Sequence, residues 1–416
     1  MNHRRCSLAE AAALALPAIA LLLPVAARAQ TSEALDAPLR GFTTAELARV
    51  EPLLDEGIVG LIELGHGDEI PAVHLAAEVA APPDAVRDVL ATPAGYPSFM
   101  PAVSEVVEHE RHGNVLAFTW RWRTSIFTLG GEANLAVFSP APAQRARGHR
   151  VVVERTGGDL GQGREVWRIL PRGEGSLLLL STRVDMRDAN PITRQMANAS
   201  RSISRSINLA MGFGMLSRVR IEAERRRGFE RAAIEAPLRR PDVDLRVIDP
   251  LLRRGDFLFI ETNGTALRQT SVATRLPHPE ARVREIMLDP VAFTQALIAG
   301  SHASVRERGE DGTLFDWAVD LPLIGTGGSM RLHEEPDRAI HLDATSGALD
   351  GGQWRFVTQP LSGAATGVLG WAEFDVGSAN FLLRAIVDAD TSLRPGLSAA
   401  TEVMMVRALR IRLMQR

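Results

Sequence analysis

The sequence predicts an α+β protein of two tandem domains, each a curved antiparallel sheet wrapped around a long C-terminal helix. Three observations carry this. The 416-residue chain repeats itself, each repeat reads strand, helix, period-two strands and one long helix, and glycine pairs recur where a sheet must bend. The repeat is direct. Glu46-Leu47-Ala48-Arg49-Val50-Glu51-Pro52-Leu53-Leu54-Asp55-Glu56-Gly57 returns as Asp244-Leu245-Arg246-Val247-Ile248-Asp249-Pro250-Leu251-Leu252-Arg253-Arg254-Gly255, a shift of 198. Pro82, Pro93, Phe118, Trp120, Gly130, Gly131 and Leu135 return at 197 as Pro279, Pro290, Phe315, Trp317, Gly327, Gly328 and Leu332. Trp167 maps to Trp354, and Asp185, Ala189, Asn190, Arg194, Met215, Arg220 and Ile221 return at 190 as Asp375, Ala379, Asn380, Arg384, Met405, Arg410 and Ile411. Rare tryptophans, paired glycines and prolines in one order are no chance match, and the period is far too long for a solenoid.

Each element follows from local chemistry. Thr43 and Glu46 form a capping box for a short helix that stops near Gly57. Ile58–Leu64 and Phe257–Glu261 are apolar runs of strand type, and Val73–Val79 and Ser271–Leu276 alternate. Pro82-Pro83 and Pro279 open helices with apolar residues at helical spacing. Phe118, Trp120 and Trp122 then share one face of a strand, as do Phe315, Trp317 and Val319. Gly130-Gly131 and Gly327-Gly328 mark turns or bulges, and further strands are predicted around Leu135–Val137, Val151–Glu154, Trp167–Leu170 and Leu177–Val184. From Asn190-Pro191 to about Ile221, apolar residues at steps of three and four predict the long helix; its second copy falls near Ser398–Gln415.

The basic start Met1–Arg5, the Ala/Leu-rich stretch from Ala11 to Ala26 and Ala27-Arg28-Ala29 before Gln30 read as a cleaved secretory signal. An uncleaved anchor is the rival reading of that apolar run, which two prolines interrupt. The expected plan is a signal over 1–29, a linker over 30–42, a first domain over 43–232, a linker over 233–241 and a second domain over 242–416. The one cysteine, Cys6, lies in the segment to be removed, so each domain must be held by its core alone; a periplasmic or secreted location is expected. With 45% hydrophobic residues the chain can build such cores. A net charge of −3 gives no reason for a nucleic-acid partner. All 47 basic residues are arginine, scattered along an Ala-, Gly- and Pro-rich chain, which reads as codon bias and not as an anion site.

The order Val79-x-x-Pro82-x-x-Ala85-Val86-x-x-Val89-Leu90 followed by Tyr96-Pro97-Ser98-Phe99-Met100-Pro101-Ala102-Val103 resembles the START-like (SRPBCC, helix-grip) superfamily, within it the polyketide cyclase/dehydrase and coenzyme Q-binding group. The resemblance covers nearly all of each repeat and implies two tandem helix-grip domains whose C-terminal helix closes an apolar cavity for a lipid, quinone, sterol or polyketide. The second copy departs from the motif, with Phe293, Ala296 and Ile298 where the first has Tyr96, Phe99 and Pro101, which makes it a candidate structural partner.

A binding cavity needs a concave apolar wall with a few orienting polar groups. Candidate lining residues are Phe99, Met100, Phe118, Trp120, Trp122, Trp167, Met196, Ile203, Ile207 and Met211 in the first copy. In the second they are Phe315, Trp317, Trp354, Phe356, Trp371, Met404 and Met405. Ordinary core packing is the competing reading for each, although three tryptophans per copy, each with an N–H to satisfy, favour a partly hollow interior.

Catalytic signals are weak. His66, His74, His109, His112 and His149 have no helical metal-ligand spacing and no cysteine cluster accompanies them, so no metal or cofactor is expected. Asn208-x-x-x-Gly212-x-Gly214 sits in a helical pattern and reads as helix packing, not as a phosphate cradle. No Gly-x-Ser-x-Gly elbow occurs. Acid–base chemistry would fall to Glu132, Asp159, Glu165 with Arg164, Asp316 or Asp320, if one of these carboxylates entered an apolar pocket. The leading expectation is therefore an exported protein that binds a hydrophobic small molecule or lipid without transforming it, with peripheral membrane contact left open. The alternatives are a cyclase/dehydratase, requiring a buried acid–base pair in the first cavity, and an envelope scaffold, requiring filled cores and a large exposed apolar patch. Oligomeric state is not legible.

Overall fold

A computed structural model describes residues 38–416 apart from 65–71, 126, 192, 195–200, 232–236, 264–265, 296–300, 322–323, 376–380, 392 and 415–416. The signal expected over 1–29 lies outside the described residues. The first half runs α1 (Thr44–Leu54), β1 (Ile58–Glu63), β2 (Val73–Val79), α2 (Pro83–Leu90), β3 (Val103–His112), β4 (Val115–Arg123), β5 (Thr128–Phe138), β6 (His149–Gly158), β7 (Gln162–Arg172), β8 (Gly175–Asp185) and α3 (Arg201–Arg225). The second half repeats the order with α4 (Asp249–Leu252), β9 (Gly255–Asn263), β10 (Ala266–Leu276), α5 (Glu280–Met287), α6 (Pro290–Gln295), β11 (His302–Gly309), β12 (Gly312–Leu321), β13 (Ile324–Glu334), β14 (Ile340–Gly347), β15 (Gln353–Leu361), β16 (Ala365–Glu373), α7 (Phe381–Ala389) and α8 (Leu393–Met414).

The local signals act as expected. Glu46 N–H donates to Thr43 Oγ1 (3.2 Å) and Thr43 N–H to Glu46 Oε2 (2.8 Å), completing the capping box of α1. Pro82 occupies the N-cap position of α2 and Pro83 its first helical position, where the missing N–H would have been an orphan in any case. Gly131 and Gly328 lie inside β5 and β13, each beside a register shift. Their cross-strand partners Gly158 and Gly347 have φ of +121° and +90°, and a Cβ on either would stand 2.4 Å from the opposing glycine Cα. Glycine on both strands is thus the condition for the bulge that curves each sheet.

The strands join in one antiparallel sheet of order β11-β12-β13-β14-β15-β16-β10-β9-β1-β2-β8-β7-β6-β5-β4-β3. The first strand of each half pairs with the other, β1 against β9, so the two curved sheets continue into one another. On the inner face, α3 and α8 pack on the sheet and on each other; a Cβ on Gly396 of α8 would lie 3.0 Å from the Ala210 Cα of α3. Arg218 of α3 donates to Asp390 at 2.6 Å. The inner core runs through both halves, from Leu75, Trp167 and Phe213 to Val272, Trp354 and Val403. On the outer face α1 and α4 cover a second core built on Val59, Leu61, Phe257 and Phe259. The central strands are therefore apolar on both faces, each large side chain contributing about 1.5–3 kcal/mol on burial. Among the described residues no helix is long and apolar enough to cross a bilayer.

Candidate functional site

The inner face of β8 meets the helix α3, while β6 and β7 pack on α2, and on these two strands the first half places a buried ion pair. Inward-facing positions along β6 are His149, Val151, Val153 and Arg155, and along β7 Gly163, Glu165, Trp167 and Ile169. Arg155 Nη2 stands 3.4 Å from Glu165 Oε1, both side chains almost wholly buried. Gly163, the direct partner of Arg155 in the ladder, makes room for it: a Cβ there would lie 2.7 Å from Nη2. Burial pushes the Glu165 carboxyl up, against the opposing pull of the Arg155 guanidinium. Arg155 Nε and Nη1, Glu165 Oε2 and Trp167 Nε1 have no hydrogen-bond partner among the described residues. Thr182 of β8, the ladder partner of Glu165, donates to Asn208 Oδ1 of α3 at 3.3 Å, tying helix to sheet beside the pair. Tyr96, the one tyrosine, is also buried and donates to Leu90 O at 2.7 Å.

Of the acids weighed from the sequence, Glu132 is exposed and Asp316 pairs with Arg306 and Ser329. Asp159 accepts from Gly130 N–H and Asn190, and Arg164 faces Glu154. The Asp320 side chain lies outside the described residues. Among those described, Glu165 alone enters the interior.

The first-half lining candidates divide. Met100, Phe118 and Trp167 are in the inner core, with Phe99, Trp120 and Ile207 packed against it. Trp122 is half-buried against Phe127, ring centroids 5.7 Å apart, and Met211 is half-buried on α3. Met196 and the Ile203 side chain lie outside the described residues. In the second half Phe315, Trp317, Trp354, Phe356 and Met405 are in the inner core and Met404 packs against it. Trp371 is a correction. It belongs to the outer core with Phe257 and Phe259, because the register of β16 on β10 turns it away from α8.

Beneath α8 the second interior holds a small apolar space. That space, lined by Phe293, Phe315, Phe356 and Leu409, measures about 20 Å³, roughly one water-sized sphere. By the ladder registers Trp354 stands where the first half has Glu165, which corrects the match of Trp354 to Trp167, and Gly352 stands where it has Gly163; a Cβ on Gly352 would meet the Trp354 ring at 2.7 Å. On the helix Glu402 replaces Gly212, and on the strand Gly370 replaces Leu180, a reciprocal exchange of bulk. Glu402 is fully buried, hydrogen-bonded by Thr270 Oγ1, and burial pushes its carboxyl up to about 8. A more open groove of about 310 Å³ lies at the C-terminal end of α8, with Arg253, Arg275 and Arg410 on its rim. These arginines already answer Asp249 and Asp256 at 2.8–3.0 Å.

Residues 79–203 match the family model described as polyketide cyclase / dehydrase and lipid transport. No curated protein matches the chain at a significant level. Among solved structures, the Zhui aromatase/cyclase from Streptomyces sp. R1128 is 21% identical, with 37% of this chain and 94% of that one covered and a TM-score of 0.29. A STAR-related lipid transfer protein fragment from Xanthomonas axonopodis is 15% identical (41% and 94% covered, TM-score 0.32). The di-domain ARO/CYC StfQ from the steffimycin biosynthetic pathway is 12% identical and is matched over 82% of this chain and 98% of its own, with a TM-score of 0.27.

Proposed function

From a chain whose two halves each have the START-like, polyketide-cyclase-related helix-grip fold, we propose that the first half binds a hydrophobic small molecule or lipid, quinone-, isoprenoid- or polyketide-like, between its curved sheet and α3. The second half is the packed structural partner. The observation that carries this reading is the asymmetry of the two interiors. At matching positions the first has the buried Arg155–Glu165 pair beside Trp167, and the second has the apolar Ala344 and Trp354. An interior that holds a buried arginine and carboxyl with unused hydrogen-bonding atoms is suited to a ligand with a polar group on an apolar body. The test is native mass spectrometry of gently purified protein. One co-purifying apolar molecule per chain is expected, lost in Trp167→Ala with Arg155→Leu and kept in Trp354→Phe; a ligand-free wild-type chain would count against binding.

One observation favours a second reading, a cyclase or dehydratase. Glu165 is a carboxyl held in apolar surroundings with its affinity for protons raised, as a general acid or base requires. On that reading Glu165→Gln abolishes turnover of a polyketide-like substrate while leaving its binding intact. The scaffold reading has less support, since the exposed large apolar residues Val107, Phe138, Phe229, Val247 and Met414 lie on separate elements. We also propose export to the periplasm, from residues 1–29; a mature N-terminus at Gln30 in a periplasmic fraction is the expected result.

A further inference from the structure

The β13–β14 hairpin carries a group of side chains that the interior does not use. Leu332 and Leu342 point into the core, so their neighbours His333 and His341 point out of the opposite face, and the two histidines are direct cross-strand partners with ring centroids 5.0 Å apart. The turn between the strands is tight. Glu335 N–H donates to Ala339 O and Arg338 N–H to Glu335 O, both at 2.8 Å, and Arg338 adopts a φ of 68°. That geometry returns the Glu335 carboxylate over the histidine pair: Oε1 lies 3.1 Å from His333 Nε2 and 3.4 Å from His341 Nδ1.

We propose that His333, Glu335 and His341 bind one divalent transition-metal ion of the zinc class. The three donor atoms lie within 4.8 Å of one another. An ion with metal–ligand bonds of about 2.0–2.1 Å and tetrahedral angles spaces its ligands about 3.3 Å apart, the separation that two of the three pairs already have. The donor types agree with the class: two imidazoles and one carboxylate suit zinc, nickel or copper, whereas magnesium and calcium call for an all-oxygen shell. All three side chains are partly exposed, at 26%, 39% and 22%, so an ion can enter and a fourth position stays open to water. The nearby Arg355 is paired with Asp343 at 2.6 Å.

The duplication supplies an internal control. At the corresponding hairpin end the first half has Ala136, Phe138 and Arg150, with the Arg150 guanidinium 4.4 Å above the Phe138 ring. One ion per chain, not two, is therefore expected.

The experiment uses untagged full-length mature chain, stripped with chelator and dialysed against micromolar zinc, with bound metal counted by mass spectrometry. One zinc per chain is expected, and cobalt should give a visible d–d absorption. His333→Ala and His341→Ala should each weaken binding by about tenfold or more, and the double variant should abolish both signals. Arg150→Ala should change neither. Circular dichroism of the variants establishes that they are folded, which their outward-facing positions favour. Failure of the wild-type chain to retain zinc, or full retention by the folded double variant, overturns the assignment.

Discussion

Gly60 and Leu258 face each other across the β1–β9 seam and hold the same place in the two repeats. The seam is therefore centred on a pseudo-twofold axis, and its two ends are equivalent as well. A Cβ on Gly57 would lie 2.4 Å from Ile260 O, and one on Gly255 would lie 2.0 Å from Ile62 O. The glycine that closes the duplicated Glu46–Gly57 and Asp244–Gly255 segments is what lets the two half-sheets approach.

Gly57→Ala and Gly255→Ala should each destabilise the chain by about 1–3 kcal/mol through overpacking against the partner backbone. Because the two sites lie at opposite ends of the seam, their effects should add within about 0.5 kcal/mol. Chemical denaturation of the singles and the double checks both statements.

The Arg155–Glu165 pair should behave as a coupled unit. Removing one member leaves the other buried without a counter-charge, so Arg155→Met or Glu165→Leu should each cost about 3–5 kcal/mol. The double variant should cost clearly less than the sum. A double-mutant cycle by urea unfolding measures the coupling, and simple additivity would show that the two side chains do not interact.

Glu402 makes stability fall as the medium becomes alkaline. Its folded value of about 8 lies above the ordinary 4.5, so between these values the native state holds a proton that the unfolded chain has released. Stability is fully present below about 4.5, declines as pH rises and levels off above about 8, a loss of up to a few kcal/mol. Glu402→Gln should flatten that decline in melting temperatures recorded from pH 5 to pH 9.

At the seam the opposite sign applies. His74 and Arg254 hold the Glu63 carboxyl down at about 2, against an ordinary 4.5. The stabilisation is present above about 4.5 and is lost as pH falls towards 2. Discounted for partial exposure, it amounts to about 1 kcal/mol. Glu63→Gln should remove this part of the acid transition, which an acid titration followed by tryptophan fluorescence would read.

Much of the fold was legible because the duplication states each element twice: the capping box, the proline-led helices and the inward Phe118 and Phe315 are where their spacing puts them. What escaped was what alternation cannot encode. In β16 every residue from Ala365 to Ala372 is buried, so the pattern around Trp371 gives no sign of which face it takes. The apolar runs of β1 and β9 mark strands covered on both faces, but nothing in them says that they pair with each other. Glu165 stood among several acids; what separates it is Arg155, which only the ladder brings opposite Gly163. The histidines 333 and 341 look unrelated until the hairpin folds.

Joining the halves through β1 and β9 leaves β3 and β11 as the outermost strands. Their sequences, Val-Ser-Glu-Val-Val-Glu-His-Glu-Arg-His and His-Ala-Ser-Val-Arg-Glu-Arg-Gly, are crowded with charge. Fusion of two ancestral units has thus consumed the greasy borders in an internal weld and kept only repellent rims, so that neighbouring molecules find no template on which to stack into fibrils.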